Sequence, residues 1–177
     1  MFRYATIVLA WATLTTPVHC QTVLDSDMTT VIQDTASGET RSCVHFVLPE
    51  TIEDKTVEYA SLTLDFEAPE DSADFYLIAI HPMLENWSEG VGWESDLQRP
   101  GGLYLDSPGI VASVAAKRGY RAEILITELA QLWADGTIEN RGLVVVADKP
   151  IPGRARIRAS GQDQNDAAQL TLRVSQR

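Results

Sequence analysis

The residues best suited to holding a ligand are two tryptophans, Trp87 and Trp93, at the ends of the segment WSEGVGW. An exposed indole stacks on the C–H face of a pyranose, and Asn86, Glu89 and Glu94 beside them can accept hydrogen bonds from sugar hydroxyls. A second set is basic. Arg154, Arg156 and Arg158 alternate along one extended segment and so point the same way, while Arg173 lies outward on a later strand that could pair beside them. Such a ladder captures carboxylate or sulfate groups in bidentate fashion and would form a docking stripe for a uronate or sulfated polysaccharide. The same arginines can equally line a solvated sheet face, neutralised across strands by Asp65 or Glu123.

Catalysis has less to work with. The chain contains no G-x-S-x-G, H-E-x-x-H, P-loop, C-x-x-C or Gly-rich dinucleotide turn. A lyase-like site would need His81, which precedes Pro82 at a strand end, to meet Tyr104 or Tyr120 beside an Arg or Lys. Spacing alone does not require that meeting, so the chain is read as not an enzyme. Metal chemistry is also thinly supplied. Gln162 to Asp166 and the pair Asp25 and Asp27 offer oxygen ligands for calcium, without the ligand count or turn glycine of a dedicated loop. The expectation is no metal site and no cofactor, with calcium kept as an option.

The elements that must position these residues have mainly a period of two. Leu62, Leu64 and Phe66 fall on one face of an extended segment, and Ser61, Thr63 and Asp65 fall on the other. The same alternation runs through Val44, Phe46 and Leu48, through Ala155, Ile157 and Ala159, and through Leu170, Leu172 and Val174. Antiparallel sheets with one wet face produce this pattern. Phe75 to Ile80 and Leu143 to Ala147 are continuous apolar runs, expected as central strands covered on both sides. Clusters such as Pro69-Glu70-Asp71-Ser72, Arg99-Pro100-Gly101-Gly102 and Pro150-Ile151-Pro152-Gly153 mark the turns.

Only Thr127 to Gly136 reads as a helix, with Thr127 as cap, Glu128 at the positive end, Leu129, Leu132 and Trp133 on one face and Gly136 at the reversal. Trp133 is assigned to the core. Seven to nine strands and one short helix predict an all-β fold, a single antiparallel β-sandwich.

The N-terminal residues 1 to 20 have the outline of a secretory signal peptide. Arg3 is the positive end, Ala5 to Leu14 the apolar run and Thr15 to Cys20 a polar exit with Pro17. The run is too short to span a bilayer as a helix. Cleavage after Cys20 leaves Cys43 alone, expected as a small buried hydrophobe. Earlier cleavage would allow a Cys20 to Cys43 disulfide, and a lipoprotein signal would make Cys20 the acylated residue. The expected location is secreted, either extracellular or in the cell envelope. With 14 basic and 25 acidic residues the net charge is −11, which repels nucleic acid and anionic membrane surfaces.

Taken in order, Arg41 to Pro49 (R-x-x-V-x-F-x-L-P), Ala60 to Leu64 (ASLTL), Trp87 to Trp93, Ile126 to Gly136 (ITELAQLWADG) and Asn140 to Asp148 (NRGLVVVAD) resemble the DNRLRE-domain jelly rolls. The closing Ala167 to Val174 is similar to that family's last strand. The resemblance implies a jelly roll related to carbohydrate-binding modules, alginate-binding ones included, in which the two tryptophans flank a turn and mostly close the core. Two departures bear on it. The hexapeptide that names the family is absent, and the long N-terminal arm is reduced to a short stretch within residues 21 to 40, so that a first strand is shortened or missing. The jelly roll itself is expected over 41 to 177.

These readings converge on a secreted, noncatalytic carbohydrate-binding module whose partner is a polysaccharide or cell-surface glycan. The competing reading is a structural or adhesive surface protein that meets another protein. A polysaccharide-acting enzyme stands third.

Overall fold

The computed structural model describes residues 20–67, 75–94, 101–107, 109–115, 120–148, 156–157 and 168–175, with the backbone alone for Cys20, Phe66, Glu67, Arg156 and Ile157. The segment before Cys20 that reads as a signal peptide lies outside them. Ten strands, one α-helix and a short 3-10 turn are described.

The strands form two antiparallel sheets. In the first, β1 (Cys20–Asp25), β10 (Gln169–Ser175), β4 (Thr56–Glu67) and β7 (Tyr120–Leu125) lie side by side, and β9 (Arg156–Ile157) adds to the far end of β4. In the second, the order is β2 (Met28–Gln33), β3 (Thr40–His45), β8 (Leu143–Ala147), β5 (Phe75–Pro82) and β6 (Ile110–Ala115). The four-strand orders β1-β10-β4-β7 and β3-β8-β5-β6 are those of a jelly roll, to which β2 is an added edge. Residues 21 to 40, expected as a reduced arm, supply two paired strands, because β1 follows β10 throughout its length and β2 makes a hairpin with β3.

Alternation explains the main core. Leu62 and Leu64 of β4, Leu170 and Leu172 of β10, and Ile124 of β7 point inward from the first sheet. They meet Val44, Tyr76, Ile78, Ile80, Leu143 and Val145 from the second. Helix α1 (Thr127–Ala134) closes one end, burying Leu129, Ala130 and Trp133 as its apolar stripe requires. Its N-cap is Ile126, with no side-chain cap bond. Thr127 does not cap the helix as its sequence position suggested. Its hydroxyl instead accepts the Ala60 backbone N–H at 3.0 Å and ties the helix to β4. Gly136 makes the expected reversal at φ +66°.

A second core lies on the other side of the second sheet. Part of the β5–β6 connection folds back over it, so that Met83, Trp87 and Val91 cover Ile32, Cys43 and Val144. This cover explains why β8 is continuously apolar. It stops short of one corner. Phe75 and Leu77 are 66% and 50% exposed, so β5 is covered on both faces only toward its C-terminal end, and the two-sided burial expected for Phe75 to Ile80 fails at those residues. Of the strand expected around Ala155 to Ala159, only Arg156–Ile157 is described.

Candidate functional site

Among the described residues nothing covers the outer face of the first sheet, which carries regular rows of mostly polar groups. Opposite residues across the ladders read Gln21, Arg173 and Tyr59 in one row, then Val23, Thr171, Ser61 and Leu125, then Asp25, Gln169, Thr63 and Glu123, then Asp65 and Arg121. Because their neighbours Leu62, Leu64, Leu170 and Leu172 point into the core, these side chains point out.

A β-bulge shapes the first row. The register of β10 against β4 shifts between Arg173 and Val174, which pair with Tyr59 and Val57 and leave Glu58 as the extra residue. A bulge re-aims side chains, and here it brings both Glu58 and Tyr59 beside Arg173. The Arg173 guanidinium lies 5.6 Å from the Tyr59 ring centroid, and its Nε is 3.6 Å from the Glu58 carboxylate. The Tyr59 hydroxyl donates to Glu123, which sits opposite Thr63 and therefore two rungs along the ladder past Ser61. To reach it, the ring must lie along the sheet over Ser61, which is why that hydroxyl residue is buried on an otherwise wet face. The hydrogen bond from the Tyr59 hydroxyl is the main cause that holds the Glu123 carboxyl below its usual range. Arg121 and Asp65 form a two-point pair with both contacts at 2.8 Å. The face thus offers an anchored aromatic ring, amides and hydroxyls in rows, and arginines already matched with carboxylates.

The predicted arginine ladder is not assembled as expected. Strand β9 pairs with β4 at Phe66 and Glu67, whereas Arg173 pairs with Tyr59, so Arg156 and Arg173 occupy opposite ends of β4 instead of adjacent strands. Eight residues of extended strand separate them, about 26 Å. Arg154 and Arg158 lie outside the described residues. Arg173 is the member of the set with a defined environment, its side chain 48% exposed.

Trp87 is not a sugar platform. It is 9% exposed, packed in the second core, and its indole N–H donates to the Arg141 carbonyl at 2.9 Å. Stacking needs an open ring face, and the loop that carries Trp87 uses that face to cover the sheet. Trp93 is half-buried at the rim of the same cluster. One of its faces is taken by the Arg41 guanidinium, 4.7 Å from the ring centroid.

Arg41 itself joins four groups. It lies 5.4 Å from the Tyr104 centroid, donates to the Gly101 carbonyl at 2.6 Å, and pairs with Glu39 at 2.7 Å. Tyr104 in turn stacks on His81 with centroids 4.8 Å apart. The structure therefore does bring His81 and Tyr104 together beside an arginine, the arrangement a lyase-like site would need. Tyr120 belongs to the other sheet and packs toward the main core. The Arg41 side chain is only 12% exposed and its charge is met by Glu39, so it is built as a clasp that holds the covering loop to β3. Gly101 exists for this clasp. At φ +76° it takes a left-handed conformation, and a Cβ there would fall 2.7 Å from Arg41 Cζ. Within the same loop, the buried Glu85 carboxylate accepts the Leu103 N–H.

Cys43 is a buried free thiol whose pKa burial pushes up to about 12. Of the calcium candidates, Asp27 lies 2.8 Å from His45 Nδ1 and Asp25 accepts from Gln169, while Gln162 to Asp166 fall outside the described residues. Among the described residues no cluster of three metal-ligating side chains occurs, and no helix is long and apolar enough to cross a membrane.

Sequence reasoning singled out Arg173 but missed Tyr59, Glu58 and Arg41. The first two acquire their roles from a bulge, which leaves no mark in a hydrophobic pattern. Arg41 had a signal. It alternates with Cys43 and His45 on a strand whose other face is core, and a glycine far along the chain, Gly101, supplies room for a buried guanidinium. No model of a known protein family matches the chain, and no curated protein matches it significantly.

Proposed function

We propose that this chain is a secreted, noncatalytic jelly-roll module, akin to the DNRLRE-domain sandwiches, that binds polysaccharide weakly on the outer face of its first sheet. The observation that carries this reading is Tyr59, a half-buried ring on the outer face of the first sheet, anchored by Glu123 and with the Arg173 guanidinium over it. Sugar binding asks for an aromatic face with hydrogen-bonding groups at its rim, and Gln21, Gln169 and Thr171 stand in the rows around it. Placement outside the cytoplasm rests on Arg3 and the apolar run Ala5 to Leu14.

Affinity electrophoresis through gels containing neutral and acidic polysaccharides tests the reading. The chain should be retarded by at least one polymer, and Tyr59→Ala should move at the polymer-free rate while keeping its circular dichroism spectrum. Equal retardation of the variant would remove Tyr59 from the site.

A second reading, contact through an apolar surface, has its own observation. Phe75, Leu77 and Val111 are exposed on one face of β5 and the edge strand β6, and β6 (IVASVA) carries no charged residue to discourage pairing. Sedimentation velocity separates the two. Association of the chain with itself that Leu77→Glu abolishes would favour this surface over the Tyr59 face.

A further inference from the structure

We infer that the ligand of the Tyr59 face is an uncharged polysaccharide, and that acidic glycans are excluded from it by carboxylates already paired with the arginines. The inference rests on the proposed carbohydrate-binding reading and specifies its ligand class.

Among the residues whose side chains are described, the outer face of the first sheet carries two arginines, Arg121 and Arg173, against four carboxylates, Asp25, Glu58, Asp65 and Glu123. Both arginines are spoken for. Arg121 meets Asp65 through two parallel bonds of 2.8 Å, the geometry in which a guanidinium satisfies a carboxylate most fully. Arg173 lies between Glu58 and the Tyr59 ring, a placement fixed by the bulge in the backbone. A uronate or sulfate arriving at this face would have to displace a partner held in register by the sheet. It would also approach a surface whose remaining carboxylates repel it, on a chain of net charge −11.

A neutral sugar meets none of these costs. It can pack against Tyr59 beside Arg173 and exchange hydrogen bonds with Gln21, Gln169, Thr171 and the outer oxygens of the paired carboxylates, bringing no charge of its own to desolvate. A charged residue on a binding face is ordinarily taken as evidence for an oppositely charged ligand. The pairing here removes that evidence, because each guanidinium is one half of an ion pair, hydrogen-bonded for Arg121 with Asp65 and at 3.6 Å for Arg173 with Glu58.

The test compares the full chain with the double variant Glu58→Gln, Asp65→Asn, which removes the charge of both paired carboxylates and leaves Tyr59 in place. Both proteins are run through gels containing neutral β-glucan, neutral xylan or alginate, after circular dichroism shows the same folded spectrum. The expected result is retardation of the unmodified chain in a neutral polymer and none in alginate, with the double variant gaining salt-sensitive retardation in alginate. Retardation of the unmodified chain in alginate but in neither neutral polymer would overturn the inference and keep the carbohydrate-binding reading. A double variant that still ignores alginate would overturn the pairing argument. Absence of retardation of the unmodified chain in every gel would overturn both the inference and the reading beneath it.

Discussion

Gly101 and Gly38 share φ +76°, yet only one of them has a neighbour that decides what a methyl group would cost. Nothing lies within 4 Å of a Cβ built on Gly38, so Gly38→Ala should lose only the left-handed backbone penalty, about 1–2 kcal/mol. Gly101→Ala should lose that and also drive Arg41 off Trp93, for a total of roughly 2–4 kcal/mol. Urea unfolding of the two variants isolates the clasp as the difference between them, and equal losses would mean that the clasp contributes nothing to stability. Cys43 gives a second residue-scale expectation. With its pKa near 12 and its side chain buried, a thiol reagent at pH 8 should leave the native protein unlabelled and label it fully in urea. Its burial was legible in the sequence, because a lone cysteine in an alternating strand is usually core. The burial of Trp87 was less so. Its ring is needed to cover a sheet whose second apolar face arises only when strands distant in the chain come together.

At the scale of elements, helix α1 is held to β4 by two polar side chains. Gln131 accepts the Val57 N–H at 2.7 Å and donates to the Lys55 carbonyl at 3.0 Å, while Thr127 accepts the Ala60 N–H. Thr127→Val keeps the shape and strands the Ala60 N–H, which should cost about 1–3 kcal/mol in denaturant unfolding. A cost below a few tenths would show that water reaches the gap. The helix was readable from its apolar spacing and its closing glycine, but the destination of the Thr127 hydroxyl was not, since a threonine before a helical run predicts capping whether or not a strand lies nearby. Across β4 and β7, Tyr59 and Glu123 supply a pH-dependent element. Glu123 titrates below its usual value when folded, so its bond contributes stability above the unfolded-state pKa and loses it as pH falls through the lower folded value. Tyr59→Phe removes the largest cause, and an NMR titration of the Glu123 carboxyl should move up toward the ordinary glutamate range. A titration unchanged by the variant would place the cause elsewhere.

For the molecule as a whole, alternation in the apolar residues determined the sandwich, and the strand orders make it a jelly roll with one added edge strand. Sequence periodicity is informative there because each strand buries one face, which is the same information the core uses. The candidate site was harder to read because it depends on register. Arg173 was recognisable as an outward arginine, but its neighbours Tyr59 and Glu58 come from a strand more than a hundred residues earlier, and a bulge decides which of them faces it. Register also separates Arg156 from Arg173, which no count of residues along either strand could anticipate. The outcome is a sandwich with two differently finished outer faces. One is wet, with its described arginines each paired with a carboxylate, and the other is largely covered by its own loop, with an apolar corner at Phe75, Leu77 and Val111.

The central claim is that the wet face is the binding face. Backbone amide NMR of the chain, titrated with a neutral β-glucan oligosaccharide, tests it most directly. Shifts should cluster at Gln21, Tyr59, Ser61, Thr171 and Arg173, with Phe75, Leu77 and Val111 unmoved. Shifts confined to the Phe75, Leu77 and Val111 corner, or none at saturating sugar, would contradict it.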